Sequence, residues 1–492
     1  MKKLNSLLSF AVGSAIAACG GGPAPAGHVD SAHAAHASGG EVIRTAGTGQ
    51  AVSQNAHQRF EEAARLMRQH DEANNGRGDW NAGACNDVAG GFEAAANAQP
   101  GGAFAEAWFN RGLAYERCSN TDAARQALQR AIDVSQGHNY CRARVQLGVY
   151  QYRAHQNAEA RSSFESAIHD DPNCVEGYTN LAMLQRESGV ADDRRAAVGN
   201  IRQALARDDR YIPALNQLAL TYLAEAGDDP RSQRLMLAGI VCSQAVQVTA
   251  QRGTDMAPDV RSFVADIYNT WGLIDIRSGQ IIRALNHFRQ AFQLNPTMFE
   301  AWANYGTINL SFRGYQDARE AFQHATELRP NDYDSHIGLG VALRGLQQYP
   351  QAQAEYERAQ QLDANRPDSF FNLGVLYDSY INTGVSDLTR GIQFLEQFLT
   401  KAGGQARFQD SITRAEQHIR NDCQAINALN AVAAMNAANG APAASGSPAP
   451  SGAPTPPPAA APANPNASLP PICARYPPPA NPNRGGAHRG GH

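Results

Sequence analysis

Four glycines, Gly272, Gly306, Gly340 and Gly374, stand 34 residues apart. Gly148 and Ala182 repeat the interval. Gly112, with Tyr115, Ala124 and Ala131, starts an earlier copy, and Ala219, between Leu218 and Tyr222, marks another. A chain with such a period has little choice of architecture. Each copy is too small to bury an apolar face alone, so copies stack and build a continuous core from contacts between neighbours. The clearest copy is FEAWANYGTINLSFRGYQDAREAFQHATELRP, Phe299 to Pro330. There Trp302, Gly306, Ala318, Phe322, Ala325 and Pro330 fall at the spacing W-x3-G-x11-A-x3-F-x2-A-x4-P.

That spacing resembles the tetratricopeptide repeat, a unit of two antiparallel helices. The resemblance implies an all-α fold, a right-handed superhelical solenoid. Gly306 and Ala318 are then small because the two helices approach closely, Trp302 and Phe322 fill the space beside them, and Pro330 stops the second helix. The strongest units are 141–174, 265–298, 299–332 and 333–366, with weaker ones at 105–140, 175–211 and 367–402. Unit 212–264 is over-long, because Ala219 and Gly272 are 53 residues apart; the insertion is expected to lengthen its second helix and the following loop. Val88, Phe92, Ala95 and Pro100 fit the second helix of a degenerate first unit, whose first helix would be AHQRFEEAARLMRQH. This gives about nine helix pairs over 53–402, then an amphipathic capping helix within 403–438.

The ends read differently. MKKLNSLLSFAVGSAIAAC has a basic start, Lys2 and Lys3, then an apolar run of about a dozen residues. That run is too short for about 30 Å of hydrocarbon and suits a signal peptide. Ile16-Ala17-Ala18-Cys19 resembles the bacterial lipobox, which implies cleavage after residue 18 and a diacylated Cys19 as membrane anchor. Gly20, where the family uses Asp for inner-membrane retention, implies the outer membrane with the solenoid facing the periplasm; an ordinary secretory signal is the alternative. Residues 19–52 form a Gly/Ala/Pro/His tether, and 439–492 form a Pro/Ala/Gly-rich tail with too few apolar side chains to offset the entropy of ordering.

The net charge is −4, and only Lys401 remains as a lysine once the signal is removed. No basic run exists, which argues against nucleic acid. Export permits disulfides. Seven cysteines follow Cys19, so at least one stays unpaired within the chain. On the repeat frame Cys85, near the start of one second helix, and Cys118, at the end of the next first helix, lie at the same end of their pair. A Cys85–Cys118 bridge is expected. Cys141 with Cys174 and Cys423 with Cys473 are further candidates, the last tying the Pro-rich arm to the cap. Small buried thiols are the alternative reading for each, and Cys242, on an apolar helix, is the expected free one.

No catalytic constellation is present: H-E-x-x-H, G-x-S-x-G and a P-loop are all missing, and GLGVALRG (Gly338–Gly345) follows no strand and contains the repeat glycine. The chain reads as a non-enzyme without cofactor. His28, His33, His36, His488 and His492 read as solvated residues rather than metal ligands. In the repeat family the first helices line a concave groove for a protein partner. The matching positions here are Phe109, Val145, Val149, Tyr152, Arg153, Met183, Arg186, Asn216, Leu220, Asn269, Ile276, Arg277, Arg344 and Phe371. The family's Lys/Asn clamp for C-terminal carboxylates is absent, which disfavours chaperone-tail capture. Asn216 and Asn269, able to bond a peptide backbone in both senses, and Tyr152 with Arg153 and Arg186 are the candidate patches.

Anchor, tether, solenoid and arm together resemble the repeat lipoproteins that assemble envelope machines, including gliding-motility and type IV pilus complexes. The expectation is an outer-membrane scaffold for protein–protein interaction. The alternative is a docking factor for peptidoglycan hydrolases or synthases.

Overall fold

The computed structural model describes residues 44–45, 49–73, 80–135, 140–250, 258–381, 383–438 and 470–475. Cys19 and its signal segment, most of the 19–52 tether, most of the 439–492 tail and the five histidines named above lie outside the described residues. Among the described residues the structure is helical, with one isolated bridge between Arg44 and Ala51. No helix among them is long and apolar enough to cross a membrane.

Among the described residues the helices come in nine successive pairs: α1 (Gln54–Ala73) with α2 (Ala82–Ala98), α3 (Ala105–Arg117) with α4 (Thr121–Val134), α5 (Cys141–Arg153) with α6 (Asn157–Asp170), α7 (Val175–Glu187) with α8 (Ala191–Arg207), α9 (Ile212–Glu225) with α10 (Gln233–Ala250), α11 (Pro258–Arg277) with α12 (Ile281–Leu294), α13 (Phe299–Ser311) with α14 (Tyr315–Leu328), α15 (Tyr333–Gly345) with α16 (Tyr349–Leu362), and α17 (Asp368–Leu376) with α18 (Val385–Ala402). A 30-residue helix, α19 (Gln409–Ala438), follows. The chain divides into two compact units, one up to Ala301 and one from Trp302 onward.

Within four of the pairs a missing side chain faces a large ring sixteen residues on. A Cβ on Gly148 would lie 2.6 Å from the Phe164 ring, on Gly272 2.6 Å from Phe288, on Gly306 2.8 Å from Phe322 and on Gly340 2.4 Å from Tyr356. These distances are far inside van der Waals contact, so glycine is the residue that lets the helices close. The partner rings Phe164, Phe288 and Tyr356 are fully buried. The turns between helices pass through left-handed backbone at Ser119, His155, Gly189, Gly279, Arg313 and Gln347, a position that repeats with the helices.

In the unit up to Ala301 the degenerate first pair is real. Phe60 and Met67 of α1 pack with Phe92 of α2 and Phe104 in one core. The over-long repeat distributes its extra residues more widely than a longer second helix and loop. α10 has 18 residues where α12 has 14, and the first helix of the next repeat, α11, has 20 where α5 has 13. Cys85 is bridged to Cys118 with Cα atoms 5.9 Å apart, and Cys141 to Cys174 at 6.0 Å, within the reach of a disulfide. Each bridge spans 33 residues and joins successive repeats. Cys242 is the free cysteine of the described residues, buried, with its thiol pushed up by desolvation and the Asp275 charge.

In the unit from Trp302 onward, α19 lays Ala415, Ile419, Cys423 and Ile426 on Leu388, Ile392, Leu395 and Phe398 of α18. The tail is not uniformly free of the fold. Residues 471–475 form a short 3-10 turn that buries Ile472 and Cys473 in the same core, and Cys473 is bridged to Cys423, Cα–Cα 5.6 Å. One polar cluster also joins the cap to the last repeat. α17 runs into a π-turn, Tyr377–Ile381, which carries Asp378. Asp378 meets His418 of α19 and shares a hydrogen bond with the buried Asp422. Desolvation and the neighbouring Asp378 carboxylate push the Asp422 carboxyl up to about 9, so it holds its proton and donates to Asp378.

The folded state therefore binds this proton up to about pH 9, whereas the unfolded chain releases it near the ordinary aspartate value of about 4. Its stabilisation is complete below that lower value and is lost as pH rises through the window between the two. Asp422→Asn keeps a donor and removes the titration. The variant is expected to melt higher than the parent at pH 9, with the gap shrinking towards pH 5, as read by circular dichroism; parallel melting curves at both pH values would refute the shared proton.

Candidate interaction face

The first helices of successive repeats lie side by side, so residues about one repeat apart meet. In the unit up to Ala301 this builds a polar ladder. Arg153 of α5 pairs with Glu116 of α3 at 2.5 Å, and Gln146 donates to the same carboxylate at 3.0 Å. The Tyr152 hydroxyl donates to Glu187 of α7 at 2.5 Å. Arg186 of α7 donates to Gln217 of α9 at 3.2 Å and pairs with Glu187 at 3.1 Å. The Thr270 hydroxyl of α11 donates to Asn216 of α9 at 2.7 Å. Arg277 reaches back to the Gly227 carbonyl at 2.6 Å and to Asp228 at 2.8 Å.

Electrostatics tighten this ladder. Burial, then the Glu187 hydrogen bond and charge, raise the Tyr152 phenol, so it stays a donor at any ordinary pH. Burial lowers the Arg186 guanidinium while Glu187 holds it up. Further along, Asp266 of α11 and Glu300 of α13 are 34 residues apart and share a repeat position. Desolvation, then the Glu300 charge, push Asp266 up to about 7. A bound cation, such as a lysine or arginine side chain of a partner, would draw that proton off.

The expected groove residues fall into three groups. Phe109, Val145, Val149, Met183 and Leu220 are buried and belong to the core, not to a partner face. Phe109, for example, packs edge-on against Tyr140 at 5.6 Å. At those repeat positions neighbouring helices cover the side chain before any partner arrives. Asn216 and Asn269 are also buried, 4% and 8% exposed, and Asn216 is spent on Thr270, so an open asparagine pair for a peptide backbone is not formed. Tyr152, Arg153, Arg186, Ile276 and Arg277 remain exposed or half-buried. In the unit from Trp302 onward, half-buried Arg344 lies 3.4 Å from Asn372 with its guanidinium 5.6 Å from the Tyr380 ring. Phe371 is held between Phe398, at 5.1 Å, and the Arg414 guanidinium of the cap, at 5.3 Å, so it serves the cap interface.

Sequence reasoning missed the carboxylates Glu116, Glu187 and Asp266. Stepping about one repeat from Arg153, Tyr152 and Glu300 would have reached them. Cys141, Cys174 and Glu176 form the one His/Cys/Asp/Glu cluster of metal-binding dimensions among the described residues, but the two sulfurs are bonded to each other.

Family models described as tetratricopeptide repeat match residues 105–138, 269–333 and 309–369. The chain carries tetratricopeptide repeats. The described residues are all-α and built as helix pairs, and tetratricopeptide repeats are a fold that serves as a protein-interaction scaffold. A peroxisomal targeting signal receptor of Komagataella phaffii is 22% identical over 184 residues, covering 33% of this chain and 31% of the receptor; the chain thus spans about a third of that relative. Among solved structures, a thermophilic tetratricopeptide protein of Thermus thermophilus is 24% identical, with a TM-score of 0.35 over 42% of this chain and 99% of its own. Pseudomonas aeruginosa pilF is 16% identical, with a TM-score of 0.37 over 46% of this chain and 94% of its own.

Proposed function

We propose that this chain is an outer-membrane lipoprotein that holds protein partners together in an envelope complex of the kind that builds a gliding-motility or pilus machine. The observation that carries the reading is the polar ladder. Tyr152, Arg153, Arg186 and Arg277 are held in fixed positions on the first helices α5, α7 and α11 yet remain reachable. Pre-positioned arginine and tyrosine side chains are the residue types that anchor protein interfaces. The three bridged cysteine pairs and one buried thiol suit an oxidising compartment, which supports export. Cys19, behind a signal-like segment, supplies the anchor.

Two measurements test this. Cys19→Ser should abolish incorporation of labelled palmitate and move the protein from the membrane to the soluble fraction; unchanged fractionation would remove the anchor. A photo-crosslinker placed at Tyr152 and, separately, at Arg277 should capture the same envelope component in cells. Capture at neither site, with the protein abundant in the membrane fraction, would remove the first-helix face as the working surface.

A further inference from the structure

The repeat that breaks the 34-residue period also carries an apolar surface cluster that α14 lacks. α14, a second helix of ordinary length, shows Gln316, Asp317, Glu320, Gln323 and Glu327 to solvent. α10 instead shows Met236, Leu237 and Ile240, at 62%, 37% and 56% exposure. Beside Met236 and Ile240 lies a cleft of about 440 Å³ between α10 and the α11–α12 pair. Gly239 forms part of its wall, and a Cβ there would sit 3.9 Å from the Trp271 indole nitrogen. Trp271 lines the cleft as well. Trp271 is fixed by stacking on His287, ring centroids 4.4 Å apart.

The rim is positive. Arg231 is exposed and makes no ion pair among the described residues. Arg283 is 52% exposed and leans on Asp275 at 3.4 Å. Asp275, at 3% side-chain exposure, lies beneath Arg283 with the His287 imidazole 2.9 Å away, so its carboxylate is covered from solvent. Apolar anchors at the centre, with the unpaired Arg231 and the half-exposed Arg283 at the edge, match one kind of occupant.

We propose that the cleft between α10 and the α11–α12 pair is a second docking site, separate from the first-helix face, for a partner segment whose large apolar side chains alternate with carboxylates. The apolar side chains cover Met236, Ile240 and Trp271, and the carboxylates meet Arg231 and Arg283. A second copy of this chain is a poor occupant. Two-fold association brings the same patch against itself, which sets one positive rim against another.

The test is selection of a displayed random-peptide library on the full-length protein, with counter-selection on Met236→Ser/Ile240→Ser. Both positions are solvent-exposed, so the variant is expected to fold as the parent does. Recovered peptides are expected to combine at least two large apolar residues with net negative charge. They should bind the double variant, and separately Arg231→Glu, at least ten-fold more weakly than the parent. Recovery of basic peptides, of peptides indifferent to the variants, or of none would overturn the proposal. So would a dimer in sedimentation that Met236→Ser/Ile240→Ser dissociates, since that would assign the patch to self-association.

Discussion

Tyr356→Ala is expected to destabilise the unit from Trp302 onward by about 3–5 kcal/mol, the range for emptying a fully buried aromatic site. The ring fills the space that Gly340 leaves, and Ala318, Phe322, Leu339 and Leu373 share its core. Tyr356→Phe should behave in the opposite sense. The Tyr356 hydroxyl is buried without a hydrogen-bond partner among the described residues, so its removal relieves a desolvation cost of about 1–3 kcal/mol. Phe164, Phe288 and Phe322 already occupy the corresponding place in other repeats. Gly340→Ala approaches the same contact from the other helix. Its Cβ at 2.4 Å from the ring should cost about 1–3 kcal/mol of overpacking, more than the roughly 1 kcal/mol that alanine gains in helix propensity. Urea titrations followed by circular dichroism check all three. A Tyr356→Phe variant no more stable than Tyr356→Ala would show that the ring is not the keystone of this pair.

The second large effect concerns the cap. Replacing Cys423 and Cys473 by alanine opens a bridge spanning 50 residues, which the chain-entropy model values at about 4 kcal/mol. Ile472 loses its burial with it. The loss should be local. Amide protection in α19 is expected to fall by up to about a thousand-fold, the equivalent of that free energy, while α14 and α16 keep theirs, because contacts in a repeat stack are made between neighbours. Equal protection of α19 with and without the bridge would mean that Ala415, Ile419 and Ile426 hold the cap unaided.

The parts of this molecule that follow from a local spacing were legible in the sequence, and those that depend on what a neighbour covers were not. The 34-residue interval predicted the helix pairs, and the small residues Gly306 and Ala318 predicted their close approach. The Cys85–Cys118 pairing came from placing both residues on the repeat frame. The interaction face was harder. The repeat resemblance implied that Phe109 and Val145 face the groove, yet the adjoining helices bury both completely. Depth depends on the size of residues a repeat away, which a single motif does not contain. The Asp378–Asp422 contact was invisible for a related reason. It joins a π-turn, which carries no sequence spacing of its own, to a helix outside the repeat.

The bridge at Cys473 has a topological consequence. Cys423 lies midway along α19, and the chain returns to it 50 residues later, so everything between them is a covalent ring. A protease that cuts once inside 439–469 linearises the ring without liberating the C-terminal end, which stays tethered through sulfur. On a gel the nicked protein would migrate as two pieces only after reduction. The Pro-rich stretch can thus be severed while the segment beyond it remains attached to the cap, an arrangement in which damage and detachment are separate events.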